Sequence, residues 1–121
     1  MSIQRILALS ALALASALAS PAFAHAKLQS SDPRAGSTLD SAPRQVRLKF
    51  NEALEPAFSR IRLTGPGSKE LALAATTVDK ADSTVMTAPL PPLSAGEYHI
   101  QWTAMTHDGH KVKGEVAFTV K

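Results

Sequence analysis

The 121-residue sequence contains no cysteine. That absence rules out disulfides, thiolate metal sites, a cysteine nucleophile and a cysteine-borne lipid anchor. Aromatic residues are scarce: four Phe, one Tyr and one Trp. A chain so poor in them has little to spare for a stacking surface on a polymer. Neither sign of charge dominates, with 13 Lys and Arg against 10 Asp and Glu and a net charge of +3. That balance is too mild for a nucleic-acid footprint. No uninterrupted apolar run reaches the ~20 residues of a membrane span. No G-x-S-x-G stretch supplies a serine-hydrolase elbow, and Gly65-Pro66-Gly67-Ser68-Lys69 lacks phosphate-loop spacing. Repeats, linkers and low-complexity tracts are missing too.

What is present begins with a leader. Arg5 supplies a positive start, and Ile6 to Leu18 form a short apolar run. Ser20-Pro21 and the small-x-small pattern Ala22-Phe23-Ala24 follow. This is the pattern of a secretory signal peptide over 1–24, cut before His25. The other reading, an uncut N-terminal anchor helix, fits the cleavage pattern less well. Residues 25–121 then form one small domain with a single core. Without Arg5 its net charge is +2. The sequence therefore predicts a soluble protein outside the cytoplasm, with a bacterial periplasm the favoured place; a signal alone does not separate periplasm from medium.

Period-two patterning predicts strands. Val46, Leu48 and Phe50 alternate with Arg47 and Lys49; Ile61 and Leu63 alternate with Arg60 and Arg62. Tyr98, Ile100, Trp102 and Ala104 alternate with His99, Gln101 and Thr103, and Val116, Phe118 and Val120 with Ala117 and Thr119. Weaker candidates are Lys27–Ser31, Thr76–Lys80 and Thr84–Ala88. Turn signals separate them, among them Asp32-Pro33, Gly65-Pro66-Gly67, Ala95-Gly96 and Asp108-Gly109. About seven short strands and no long helical period predict an all-β fold, a small Greek-key β-sandwich of the Ig-like or cupredoxin-like kind. Tyr98 just after Gly96 at a strand start has the look of a tyrosine corner, with Trp102 in the core. The alternating basic residues read as solvated strand faces rather than a binding patch.

The stretch that carries chemistry is Thr106-His107-Asp108-Gly109-His110. A hairpin turn accounts for Asp108-Gly109. It does not account for the two flanking histidines. Imidazole suits copper, zinc and nickel, and carboxylate adds an oxygen donor. Asp108 and His110, two apart on a turn, can face one locus. Two ligands make a weak site, and His25 offers two more if the leader is cut. Its terminal amine and ring Nδ1 close one chelate ring. The amine has an ordinary pKa of ~7.7–8.0, so metal must displace a proton and affinity rises with pH. This sulfur-free N/O set suits tetragonal Cu(II) best, with Zn(II) also compatible by ligand type. Spacing alone does not place the start of the first strand beside the turn.

Residues 25–121 resemble the CopC family of periplasmic copper-binding, copper-resistance proteins. The resemblance rests on an ordered set: HAKLQSSDPRAGSTL at the start, APRQVRLKFNEALEP with Phe50 and Glu52, and LSAGEYHIQWTAMTHDGHKVKGEVAFTVK with its D-x-H. It implies one Cu(II) ion held by His25, Asp108 and His110, with Glu52 nearby as a weak or outer ligand. It also implies a carrier or buffer rather than an enzyme, and a membrane partner of the CopD type. Some members carry a methionine-rich Cu(I) segment. Here residues 25–121 have only Met86 and Met105, which read as core fillers, so no Cu(I) site is expected. His99 is expected to face solvent, and His107 to hydrogen-bond near the site.

Two other functions compete. A terminal histidine beside a second histidine also resembles the histidine brace of lytic polysaccharide monooxygenases. Those need an extended, often aromatic, substrate surface, and Asp108 would occupy a position that oxygen chemistry needs open. A metal-free Ig-like interaction module is the other alternative. It would leave copper affinity indifferent to His25 and His110. The chain is read as a monomer in either case.

Overall fold

A computed structural model describes residues 26–121. The signal-peptide reading over 1–24 and the predicted ligand His25 lie outside the described residues. Among the described residues nine strands form two sheets. They are β1 (Leu28–Asp32), β2 (Ser37–Leu39), β3 (Gln45–Phe50), β4 (Arg60–Thr64), β5 (Glu70–Leu71), β6 (Thr77–Val78), β7 (Val85–Pro89), β8 (Gly96–Met105) and β9 (Lys111–Val120). One sheet runs β1-β3-β7-β6 and the other β2-β9-β8-β4-β5. Neighbours are antiparallel except β2, which lies parallel to β9. No α-helix occurs among the described residues, and no helix there is long and apolar enough to cross a membrane.

The predicted all-β sandwich is what forms, and the alternating residues are its core. Val46, Leu48, Phe50, Ile61, Leu63, Tyr98, Ile100, Ala104, Val116 and Phe118 are buried between the sheets. Each large aliphatic or aromatic side chain so buried contributes ~1.5–3 kcal/mol. Phe50 meets Trp102 edge to face at 4.9 Å across the sheets. Tyr98 stacks on Phe118 at 5.4 Å, and its hydroxyl donates to the Ser94 carbonyl at 2.7 Å, which is the tyrosine-corner bond. Gly114, paired with Trp102 in the ladder, leaves room for the indole. A Cβ there would sit 2.2 Å from the ring.

Nine strands rather than about seven reflect two short additions, β2 and β5; β6 falls within the predicted Thr76–Lys80. β5 and β6 have two residues each, and β2 has three. β2 was not predicted, because Ser37–Leu39 lies between turn residues and shows no alternation of its own.

One end of the sandwich is stitched by the loop after β3, Asn51–Glu55. Asn51 N–H donates to the Lys27 carbonyl at 3.1 Å, and Lys27 N–H donates to Asn51 Oδ1 at 2.7 Å. Leu54 N–H donates to Ser83 O at 2.8 Å, and Glu55 N–H to Met105 O at 2.7 Å. Leu54 also bridges Thr106. So the start of the first strand and the β8–β9 turn are tied to the same five-residue loop.

Candidate metal centre

The β8–β9 turn, residues 106–110, is the predicted hairpin. Thr106 N–H donates to His110 O at 3.0 Å, and Gly109 N–H to Thr106 O at 2.9 Å. Gly109 has φ of 86°, a left-handed conformation that glycine adopts without strain. The turn closes on two ten-residue strands, the longest in the domain, so its geometry is set by a rigid ladder.

Asp108 is the hub of this turn. Its Oδ1 accepts from the Thr106 hydroxyl and from His110 N–H at 3.2 Å. Its Oδ2 lies 2.7 Å from Nδ1 of His110. The Thr106 hydroxyl, then the His110 ring and backbone N–H, pull its carboxyl down to a pKa of about 2. Asp108 is therefore an anion at any pH near neutrality. A neutral His110 ring that donates from Nδ1 keeps its lone pair on Nε2. Both side chains are about half exposed. The pair offers one anionic oxygen and one imidazole to an ion from solvent.

Of the predicted ligands, the structure thus brings Asp108 and His110 together. Glu52 stands half-buried on the stitching loop, three residues before Glu55. Among the described residues no three His, Asp or Glu side chains form a group able to hold an ion. His25 lies outside them, but Lys27, two residues on, is bonded to Asn51 beside Glu52.

The other histidines differ. His99 sits on the outer face of β8, as its parity predicts, with Nδ1 2.8 Å from Glu115 and Nε2 3.4 Å from Glu97. His107 pairs not with Asp108 but with Glu55, Nδ1 to Oε2 at 3.0 Å. Sequence reasoning missed Thr106 and Glu55. A threonine two residues before a turn aspartate is a readable signal for a hydroxyl bond. Glu55, 52 residues from His107, gives none.

Met86 is fully buried in β7 and Met105 half-buried at the end of β8. An open groove of about 1130 Å³ lies on the outer face of the β8 sheet, lined among others by Arg60, Arg62, Gln101, Thr103 and Lys113. It contains no histidine.

The CopC domain model matches residues 28–121, nearly the whole described chain. The chain belongs to the CopC family. It is 37% identical over 124 residues to copper resistance protein C of Xanthomonas campestris pv. juglandis, covering 97% of each chain. Among solved structures it is similar to CopC from Methylosinus trichosporium OB3b, with a TM-score of 0.76, 28% identity and coverage of 80% of this chain and 94% of that one. It is also similar to PcoC, a methionine-rich copper resistance protein from Escherichia coli, with a TM-score of 0.72, 36% identity and coverage of 81% and 100%.

Proposed function

We propose that this CopC-family chain is a periplasmic, non-catalytic Cu(II) carrier or buffer, produced with a leader that is cut before His25. Copper is its cargo. The site takes one ion on the His25 amine and ring, the His110 ring and the Asp108 carboxylate, with Glu52 close by. The observation that carries this reading is the Asp108–His110 pair, 2.7 Å apart, on a turn stitched to the same loop as Lys27. The donor set is nitrogen and oxygen with no sulfur, which suits Cu(II). A half-exposed site at one end of a rigid sandwich also suits an ion that must leave again.

The chain works as a monomer and exchanges copper with a membrane protein of the CopD type. It has no Cu(I) site. A buried Met86 and a lone Met105 supply no thioether cluster, in contrast to a relative described as methionine rich. Oxygen chemistry on a polymer gains no support from the surface. Phe58, 57% exposed, is the exposed large hydrophobic side chain among the described residues, while Phe50, Tyr98, Trp102 and Phe118 are buried.

The test is an EPR-monitored competition titration with Cu(II). Protein beginning at His25 is compared with protein carrying one extra Ala before it. The extra residue should sharply weaken binding and change the spectrum. Equal tight binding by both would remove the amine from the site. Equal weak binding would favour a metal-free module.

A further inference from the structure

Three histidines of the described domain sit beside carboxylates, and their ring nitrogens are used differently. His99 has a carboxylate at each nitrogen, Glu115 at Nδ1 and Glu97 at Nε2. His110 shares the Asp108 turn already described. His107 has Glu55 at Nδ1 only. A carboxylate oxygen can only accept, so in the neutral ring Nδ1 carries the hydrogen and Nε2 carries the lone pair. This is the arrangement by which proteins orient a metal-binding imidazole: an outer carboxylate fixes the tautomer and makes the far nitrogen more basic.

Glu55 is well placed to do so. Its backbone is fixed by the bond to Met105 O, its neighbour Leu54 bridges Thr106, and Pro56 stiffens the chain that follows. The imidazole it holds is 61% exposed and stands one residue from Asp108. One imidazole held by an outer carboxylate does not make a storage site. It does make a landing point.

We propose that His107, held by Glu55, is a transient Cu(II) ligand through which the ion enters and leaves the Asp108–His110 site. The inference rests on the copper-carrier reading. Each step exchanges one copper ligand for another or for water. Copper stays Cu(II), Nδ1 keeps its hydrogen, and no protein bond breaks. A ligand used only in passage lowers the barrier equally in both directions. It therefore changes rates without changing the equilibrium.

The experiment is stopped-flow transfer of Cu(II) from a copper–glycine donor to protein beginning at His25, and from the loaded protein to EDTA. His107→Asn should slow uptake and release by the same factor, about tenfold, which is ~1.4 kcal/mol of barrier. Its equilibrium affinity and the melting temperature of the metal-free protein should stay as in the wild type. Glu55→Gln, which removes the fixed tautomer, should give part of the same slowing. Unchanged rates in His107→Asn would overturn the proposal. So would weaker binding with faster release, which would make His107 a resident ligand or a turn anchor. A wild-type protein that takes up no Cu(II) would instead overturn the carrier reading itself.

Discussion

Two turns at the same end of this domain are built on one plan and finished differently. In the loop before β7, Asp82 Oδ1 accepts from the Thr84 hydroxyl at 2.5 Å and from Thr84 N–H at 3.0 Å. In the β8–β9 turn, Asp108 Oδ1 accepts from the Thr106 hydroxyl and from His110 N–H. Each carboxyl has its pKa lowered to about 2, with the threonine hydroxyl as the largest cause. Both turns are tied to the Asn51–Glu55 loop, through Ser83 in one case and through Thr106 in the other. The difference lies at Oδ2. Asp82 meets the Lys49 ammonium at 3.2 Å, and Asp108 meets the His110 imidazole at 2.7 Å. An ammonium has three donors and no lone pair, so the first turn is a closed structural ion pair. An imidazole keeps a lone pair, so the second can take a metal. Lowering a carboxyl's pKa does not make a metal site. The partner does.

The strongest way to break this contrast is His110→Lys, which gives the Asp108 turn the finish of the Asp82 turn. Losing even an outer partner of a metal site costs about 10–100-fold in affinity, and a direct ligand costs more. Cu(II) affinity should therefore fall by more than about a hundredfold. Competition titration measures it, and the circular dichroism of the metal-free protein should not change. Retained affinity would show that the imidazole is not a ligand.

A smaller effect separates the hydroxyl from the ring. Thr106→Val removes the largest cause of the Asp108 shift, so its carboxyl should rise from about 2 toward the ordinary 3.8 when titrated by NMR. Affinity for Cu(II) should weaken by about tenfold, the low end for an outer partner. An unmoved carboxyl would contradict the stated cause.

The smallest effect concerns Asp82 alone. Its folded pKa is depressed, so its stabilising contribution is present above its unfolded value, near 3.8, and is lost as pH falls through about 2. Asp82→Asn lacks that contribution at every pH. The stability difference between wild type and variant, read by denaturant melts, should thus be constant above pH 4 and close toward pH 2. A difference independent of pH across that window would mean that the carboxylate charge is not what matters there.

Much of this was legible from the sequence, for physical reasons that can be named. Val46–Phe50, Ile61–Leu63, Tyr98–Ala104 and Val116–Val120 each bury one face, and a half-buried strand writes that as alternation. Gly109 marked the turn, and the Asp108 and His110 spacing marked which two side chains meet on it. The short strand β2 was not legible because its parallel pairing to β9 comes from the far end of the chain, while its own three residues sit among turn formers. The partners distant in sequence were hidden for a related cause. Glu55 meets His107 over a separation of 52 residues, and Lys49 meets Asp82 over 33. Local patterning says which residues face out of a strand or loop, not which of them meet there.

The central claim is that the Asp108 turn, and not its look-alike, binds copper in the carrier. The measurement that tests it most directly is a Cu(II) competition titration of wild type, Asp82→Asn and Asp108→Asn side by side, each beginning at His25. The account predicts that Asp82→Asn binds as the wild type does, while Asp108→Asn binds far more weakly with an altered EPR spectrum. Wild-type affinity in Asp108→Asn, or equal losses in both variants, would contradict it.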